Sequence, residues 1–146
     1  DEDWSRVMRI NLDGAFYACR AAAPYLKKSG KNGRIINLSS QAALNGTAHG
    51  VHYGASKAAL LGLTYCLAKE LGPDGITVNA ILPGRIDTEM LAYATPERRA
   101  QWLQSTPLGR FGDTADIAEL AVFLASDKGG YITGAKINVN GGLSTG

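Results

Sequence analysis

The sequence is poor in the residues that mark disulfide-stabilised, metal-binding and membrane-spanning proteins. It contains two cysteines and two histidines in 146 residues, without metal-ligand spacing or a disulfide framework. We therefore expect no metal site, and we interpret Cys19 and Cys66 as small buried hydrophobic residues. No apolar run approaches the roughly 18 residues that a membrane-spanning helix requires.

Charge of either sign is sparse and evenly spread. Fifteen basic and thirteen acidic residues give a formal net charge of +2, with no basic stripe for nucleic acid and no polybasic tail for a membrane surface. With 45% apolar residues, residues 1–146 have the composition of a single soluble domain. We accordingly predict a soluble, cytoplasmic protein that binds neither nucleic acid nor membranes.

A methionine at the start and a glycine-rich phosphate loop are also absent from these residues. The glycines within 129–134 and 141–142 lack both phosphate-loop spacings, so we interpret them as turns. We expect the natural chain to be longer than these residues.

What the sequence does contain is an alternation of helical and strand patterns. Apolar residues recur at steps of three and four from Trp4 to Leu26, which predicts a long amphipathic helix that Pro24 should bend. Residues 51–71 are apolar nearly all round, which predicts a helix with one face on a sheet and the other on a partner subunit. The other predicted elements are strands at 34–38, 76–82 and 135–140, and a helix at 114–125 capped by Asp113.

Strands separated by helices favour parallel pairing through right-handed crossovers, which is the doubly wound α/β plan. Three strands are few for such a sheet, and the strand at 34–38 would present an unpaired edge if nothing preceded it. We therefore predict the C-terminal half of a Rossmann-type domain, preceded by further strands in the natural protein.

A long excursion from Arg85 to Gly112 is interrupted by two short helical pieces, around 90–93 and 97–103, and we interpret residues 85–112 as a substrate lid. Its large apolar residues could line a substrate pocket, although for most of them we favour the buried faces of the two helices. They are Met90, Leu91, Tyr93, Trp102 and Leu103.

Ser40, Tyr53 and Lys57 have the chemical task that is most easily named. Tyr53 and Lys57 share a face of the predicted helix in its first turn, where the nearby ammonium and the positive end of the helix dipole favour phenolate. Tyr53 is therefore a candidate general acid or base. Ser40 follows the strand at 34–38, at the carboxyl end where parallel sheets bind ligands, and could hold a carbonyl or hydroxyl oxygen.

Other residues compete for these roles. Tyr65 and Lys69 repeat the same spacing but are turned by about 120° on the helix and lie further from the strand ends, so we assign them to the surface or to packing. Ser39 competes with Ser40, but adjacent strand residues point to opposite faces, so only one of them can face the tyrosine.

His49 and His52 suggest a hydrolase with a serine nucleophile. No Gly-x-Ser-x-Gly elbow surrounds Ser40, so we interpret both histidines as solvated loop residues. Asn11 falls on the inward stripe of the first helix, where a buried amide needs hydrogen-bond partners. Backbone or water could satisfy it structurally, and beside the cluster we favour a water-holding role.

Several motifs in a fixed order together resemble the short-chain dehydrogenase/reductase family over essentially the whole chain. They are Asn11 in Ile-Asn-Leu-Asp-Gly, Ile36-Asn37-Leu38-Ser39-Ser40, Tyr53-Gly-Ala-Ser-Lys57, Ile76-Thr-Val-Asn-Ala80, Pro83-Gly84 with Thr88, and Tyr131-Ile-Thr-Gly134 before Gly141-Gly142.

The resemblance implies an oxidoreductase that transfers a hydride between a nicotinamide cofactor, NADP or NAD, and a ketone or secondary alcohol. It implies that Ser40 polarises the carbonyl and that Tyr53 passes the proton. Lys57 would tune Tyr53 and bind the nicotinamide ribose, and Asn11 would anchor a proton-relay water. The implied cofactor-binding residues are Tyr53, Lys57, Pro83, Gly84, Ile86 and Thr88. The resemblance also implies a homo-oligomer, a dimer or tetramer.

Two alternatives stay open. One is 3-oxoacyl-[acyl-carrier-protein] reductase, because Lys31 keeps a basic residue where such reductases often have one, although Asp74 stands where a second arginine is expected. The other is a truncated, catalytically inactive fragment or an assembly module. The family's glycine-rich loop and the residue that selects NAD or NADP would both precede Asp1.

Overall fold

The computed structural model describes residues 1–30 and 32–145, and residue 90 without its side chain. The interpretations of Lys31 and of the Met90 side chain therefore lie outside the described residues. The elements in chain order are α1 (Glu2–Met8), a π-helical turn (Arg9–Asp13), α2 (Gly14–Lys28), β1 (Arg34–Leu38), α3 (Ala42–Asn45), α4 (Val51–Leu71), β2 (Thr77–Pro83), α5 (Glu89–Ala92), α6 (Pro96–Gln104), α7 (Thr114–Ala125) and β3 (Lys136–Val139).

Within the described ranges, three strands form a parallel sheet in the order β1-β2-β3. Leu38 of β1 pairs with Ile81 of β2, and Pro83 of β2 pairs with Val139 of β3. The carboxyl ends of all three strands therefore lie at one edge of the sheet. The predicted parallel α/β fold is confirmed, and β1 is the outer strand of the sheet in the described part of the chain.

Both faces of the sheet carry helices. Helices α2 and α4 cover one face, where six buried residues form a core. The apolar helix α7 contacts β1 and β2, and its Leu124 is fully buried. Because side chains alternate along a strand, β2 is buried nearly throughout, as expected of a parallel strand with cover on both sides. The six core residues are Cys19, Ile35, Ala68, Leu71, Ile76 and Val78.

The predicted bounds of β1, α4 and α7 match the structure, and Asp113 caps α7 by accepting a hydrogen bond from the Ala115 N–H at 2.9 Å. Two strands differ from the predicted ranges at both ends: β2 is Thr77–Pro83 instead of 76–82, and β3 is Lys136–Val139 instead of 135–140. The Ile76 N–H donates to the Leu71 oxygen at the end of α4, and the Ala135 N–H donates to the side-chain oxygen of Asn79. Neither residue extends its strand, because each N–H is used outside the strand pairing.

Three further expectations need correction. The first long helix is interrupted by the π-helical turn Arg9–Asp13, although α2 continues through Pro24. Cys19 is buried as expected, but Cys66 is exposed because it lies on the face of α4 directed away from the sheet. His52 is not a loop residue, because α4 already begins at Val51.

The two ends of the predicted lid are paired with each other. Ile86 forms a parallel bridge with Gly112, supported by a hydrogen bond from the Asp87 N–H to the Gly112 oxygen at 2.8 Å. Helices α5 and α6 lie inside this loop close to the two predicted positions. Tyr93 is 90% exposed, whereas Leu91, Trp102 and Leu103 are half-buried.

Candidate active site

Lys57 joins α4 to the carboxyl end of β1. Its Nζ donates a hydrogen bond to the main-chain oxygen of Leu38, the last residue of β1, at 2.8 Å. The main-chain oxygen of Lys57 accepts a second hydrogen bond from Ser39 Oγ at 2.7 Å. The first turns of α4 are thus attached to the edge of the sheet where the strands end. Burial lowers the pKa of the Lys57 ammonium from its usual value.

Tyr53 lies one helical turn before Lys57, and the structure brings the two side chains together. The ammonium of Lys57 lies 5.8 Å from the centroid of the Tyr53 ring, and the tyrosine side chain is partly open to solvent at 37% exposure. A phenol beside a half-buried cation is an arrangement that can exchange a proton.

The two serines after β1 have different partners. Ser39 is used to hold α4, as described above, whereas Ser40 Oγ accepts a hydrogen bond from the Ala42 N–H at 3.1 Å. Because the hydroxyl of Ser40 is an acceptor in this contact, its own proton remains able to donate to another oxygen.

Asn11 lies in the π-helical turn and reaches α4. Its Nδ2 donates to Ser56 Oγ at 3.0 Å, and Ser56 Oγ donates to the main-chain oxygen of Tyr53 at 2.8 Å. Asn11 is therefore linked to the Tyr53 backbone through Ser56, a residue that sequence reasoning missed. The available signal was a serine within Tyr-Gly-Ala-Ser-Lys on a helix that is apolar nearly all round, where a buried hydroxyl needs a partner.

The predicted cofactor residues Pro83 and Gly84 end β2 at the same edge. The Gln41 N–H donates to the Pro83 oxygen at 3.1 Å, which brings the segment after Ser40 beside them. A Cβ on Gly84 would lie 2.6 Å from the Asn140 Cα, so only glycine allows this approach of the two chain segments. Ile86 and Thr88 continue from here into the base of the lid loop, where Thr88 Oγ1 lies 3.4 Å from the Ile86 oxygen.

A cleft of about 400 Å³ opens beside this region, between the lid base and the loop after β3. Its lining takes in Ile86 but not the predicted catalytic residues. Within residues 1–30 and 32–145, we find no group of three or more acidic, histidine or cysteine side chains arranged to hold a metal ion. None of the helices in those ranges is both long enough and apolar enough to cross a membrane.

The competing residues lie elsewhere or have other partners. Tyr65 and Lys69 lie on the exposed side of α4. His49 adopts a left-handed backbone conformation in the loop before α4, and Nδ1 of His52 accepts a hydrogen bond from the Tyr53 N–H at 2.7 Å.

Comparison with known proteins gives consistent matches. A family model described as enoyl-(acyl carrier protein) reductase matches residues 1–144. The (3R)-3-hydroxyacyl-CoA dehydrogenase of Rattus norvegicus is 44% identical over 143 residues, which cover 98% of this chain and 55% of that protein. The 3-oxoacyl-[acyl-carrier-protein] reductase FabG of Thermotoga maritima is 41% identical over 143 residues, 98% of this chain and 58% of that protein.

A third relative acts on a different class of substrate. The L-rhamnose-1-dehydrogenase of Scheffersomyces stipitis is 48% identical over 140 residues, 94% of this chain and 54% of that protein. Among solved structures, a 3-oxoacyl-[acyl-carrier protein] reductase from Brucella melitensis matches with a TM-score of 0.93 and 40% identity, covering 100% of this chain and 55% of that one. The chain thus spans little more than half the length of the curated relatives it matches.

Proposed function

The chain belongs to the short-chain dehydrogenase/reductase family, and from this premise we propose that the natural protein containing it is an NAD(P)-dependent oxidoreductase. It transfers a hydride between a nicotinamide cofactor and a ketone or secondary alcohol. The observation that carries the proposal is the position of Lys57, whose ammonium is bound to the end of β1 and lies beside the ring of Tyr53.

In this proposal Tyr53 is the general acid when a carbonyl is reduced and the general base when an alcohol is oxidised. The ammonium of Lys57 lies beside the Tyr53 ring, where it can attract the negative charge that develops on the phenol oxygen during proton transfer. The hydroxyl of Ser40, held by the Ala42 N–H, donates to the substrate oxygen and polarises the carbonyl.

A nicotinamide cofactor, NADP or NAD, supplies or removes the hydride at the carbonyl carbon when it is bound. The residues at the sheet edge fit such a group. Within the described residues the Lys57 ammonium donates one hydrogen bond, to the Leu38 oxygen, so two further N–H groups could donate to the hydroxyls of a ribose. Gly84, which follows β2, has no side chain and packs directly against Asn140, which fixes the main chain at this edge. We propose Pro83, Gly84, Ile86 and Thr88 as the segment at the nicotinamide end, together with Tyr53 and Lys57.

We propose that Asn11 keeps its water-holding role. One N–H of its Nδ2 is donated to Ser56 Oγ, so the second N–H and the side-chain oxygen are the groups that we propose for the water. Single π-helical turns within a longer helix are frequent at functional sites, because they redirect side chains and free main-chain carbonyls.

The experiment that tests the function is Tyr53→Phe in the natural protein, assayed with NADPH and NADH over a panel of ketones. Loss of the phenolic proton should abolish cofactor-dependent reduction while leaving the fold intact. Tyr65→Phe is the matched control, because Tyr65 has the same spacing to a lysine on the same helix. Retained turnover in Tyr53→Phe would refute the proposed function.

The substrate class has two specific candidates. FabG of Thermotoga maritima points to a 3-oxoacyl thioester on a carrier protein, whereas the rhamnose dehydrogenase points to sugars. Asp74 forms an ion pair with Lys27 at 2.9 Å, so the acidic side chain at this position is partly neutralised. Comparing the kcat/KM for a 3-oxoacyl thioester with that for simple sugars and alcohols decides between the two.

The alternative of an inactive fragment or assembly module is tested by intact-mass measurement of the cellular protein. If that protein consists of these residues alone, the phosphates and adenine of the cofactor have no binding loop, and we expect no measurable binding of NADH or NADPH. Tight binding by these residues alone would refute the fragment alternative.

We further propose a cytoplasmic homo-oligomer, a dimer or tetramer. The outer face of α4 exposes apolar and small residues that a partner subunit can cover. Gly62→Arg would place a long cation on that face, and light scattering should then show a lower mass than for the unchanged protein. The exposed residues of this face include Val51, Ala58, Gly62, Tyr65 and Cys66.

A further inference from the structure

Ser56 is completely buried, and its hydroxyl both accepts and donates a hydrogen bond. It follows Tyr53 by three residues and immediately precedes Lys57 on α4. Its oxygen accepts a hydrogen bond from Asn11 Nδ2 at 3.0 Å, and its proton is donated to the main-chain oxygen of Tyr53 at 2.8 Å. The hydroxyl therefore connects the amide of Asn11 to the backbone of Tyr53.

This connection acts on the part of α4 that carries the reacting groups. The main-chain oxygen of Tyr53 belongs to the first turn of α4, one turn before Lys57. Serine hydroxyls that bond the carbonyl of the preceding turn also bend the helix locally. The hydrogen bond from Ser56 Oγ to the Tyr53 oxygen therefore acts within the helical turn that joins Tyr53 to Lys57.

The other end of the connection is in the π-helical turn. Such a turn contains one more residue than an α-helical turn, which changes the direction of the side chains that follow it. Asn11 lies in the middle of Arg9–Asp13, and α1 and the turn both contact α4. The irregular turn thereby presents an amide to Ser56 from a second helix.

We propose that Ser56 is a positioning residue for Tyr53, because its hydroxyl links the Tyr53 backbone to the Asn11 amide across two helices. Ser56 touches neither substrate nor cofactor in this proposal. The proposal rests on the function proposed above, and it gives Asn11 a second task, the support of Tyr53 through Ser56.

The same helix provides a matched control two turns further on. Thr64 is also completely buried, its Oγ1 accepts a hydrogen bond from Asn37 Nδ2 at 2.9 Å, and it donates to the Leu60 oxygen at 2.8 Å. Ser56 and Thr64 therefore make the same kind of contacts, an asparagine amide on one side and a helix carbonyl on the other. Only Ser56 is bonded to the backbone of Tyr53.

The test compares Ser56→Ala with Thr64→Val in the natural protein, for alcohol oxidation as a function of pH. For Ser56→Ala we expect kcat to fall about tenfold with the KM for the cofactor within about twofold, since small displacements of a reacting group cost rate more than binding. The acid-side midpoint of the rate should also move to higher pH, because a displaced phenol gains less from the Lys57 ammonium. Thr64→Val should lower the thermal unfolding midpoint about as much as Ser56→Ala does. It should leave kcat and the pH midpoint of the rate unchanged.

The proposal is overturned if Ser56→Ala keeps the original kcat and pH midpoint, or if Thr64→Val changes both equally. If Ser56→Ala does not fold, Ser56→Cys supplies the same measurement, because a thiol keeps the shape but bonds weakly. Failure of the function is distinguishable: if Tyr53→Phe retains turnover the function is wrong, whereas loss in Tyr53→Phe with normal Ser56→Ala overturns the positioning role alone.

Discussion

Lys57 donates a hydrogen bond from its ammonium to the main-chain oxygen of Leu38 at 2.8 Å, across the junction of α4 and β1. Because the acceptor is a main-chain atom at the end of a strand, the sheet itself fixes the position of the cation. The same contact keeps the ammonium half-buried, which lowers its pKa. A strand and a helix together thus place a positive charge beside the ring of Tyr53.

Lys57→Met should abolish most of the proposed activity. Loss of the ammonium removes both the stabilisation of the phenolate and a ribose donor, so we expect kcat/KM to fall by about 100-fold or more. Lys69→Met is the control, because Lys69 follows Tyr65 with the same spacing on the exposed side of α4. Equal activity of the two variants would contradict the role given to Lys57.

Gly84→Ala should destabilise the protein. The added Cβ would lie 2.6 Å from the Asn140 Cα and 3.0 Å from its main-chain oxygen, so the two chain segments must separate. Forced overpacking of this kind costs about 1–3 kcal/mol of unfolding free energy. Gly72→Ala, where the added Cβ meets no atom within 4 Å, should change that free energy by less than about 1 kcal/mol in urea unfolding.

Asp116 should make the stability depend on pH under acidic conditions. Hydrogen bonds from Arg110 and then from the Asp113 N–H lower the pKa of Asp116 from 3.8 to about 2. A carboxyl group whose pKa is lowered by folding stabilises the folded state when the pH is above the ordinary pKa of that group. This contribution is lost as the pH falls through about 2.

Urea unfolding of the wild type and of Asp116→Asn at a series of pH values checks this sign. The unfolding free energies of the wild type and Asp116→Asn should differ by a constant amount above a pH of about 5. They should converge as the pH falls from about 4 to about 2. Arg110→Gln should narrow the pH range over which the contribution of Asp116 is lost, because Arg110 is the main cause of the lowered pKa of Asp116. A difference that grows on acidification would contradict the assignment.

We expect Arg85 to hold residues 86–112, which we propose as a lid, close to the end of β2. Its Nη1 donates to the Trp102 oxygen at 2.6 Å and to Ser105 Oγ at 2.7 Å. One side chain at the start of the loop therefore binds the segment that leads back towards the sheet. Arg85→Gln should increase the rate of proteolytic cleavage within 88–104 and raise the KM for the substrate. Arg98→Gln is the control, because the Arg98 guanidinium also contacts Trp102, over its ring, but lies at the exposed surface. Equal cleavage rates in the wild type and Arg85→Gln would show that this anchor does not control the lid.

The sequence predicted the main elements because their signals are local. The β-branched run of β1, the apolar α4 and the Asp113 cap each appear in a short window, and their bounds were correct. The π-helical turn was not predictable in this way, because its apolar spacing is that of an ordinary helix. The contact that this turn makes is with a distant residue, through the hydrogen bond from Asn11 to Ser56.

The site was predictable to the extent that it rests on helix spacing. A spacing of four positions between Tyr53 and Lys57 predicts that they share a helix face, and in the structure the two side chains lie together. Two contacts depend on the meeting of separate elements and were invisible in the sequence: the bond from Lys57 to Leu38, and the use of Ser39 rather than Ser40 to attach α4. The exposure of Cys66 was missed because an apolar neighbourhood does not show which helix face meets the sheet.

The most direct test of the account is transfer of a labelled hydride by the natural protein. With NADPH or NADH deuterated at the transferable position, mass spectrometry should show the deuterium on the carbonyl carbon of the alcohol product. Tyr53→Phe should form no labelled alcohol at saturating cofactor, and Tyr65→Phe should form it at the original rate. Labelled alcohol formed by Tyr53→Phe at the rate of the unchanged protein would contradict the central claim that Tyr53 supplies the proton.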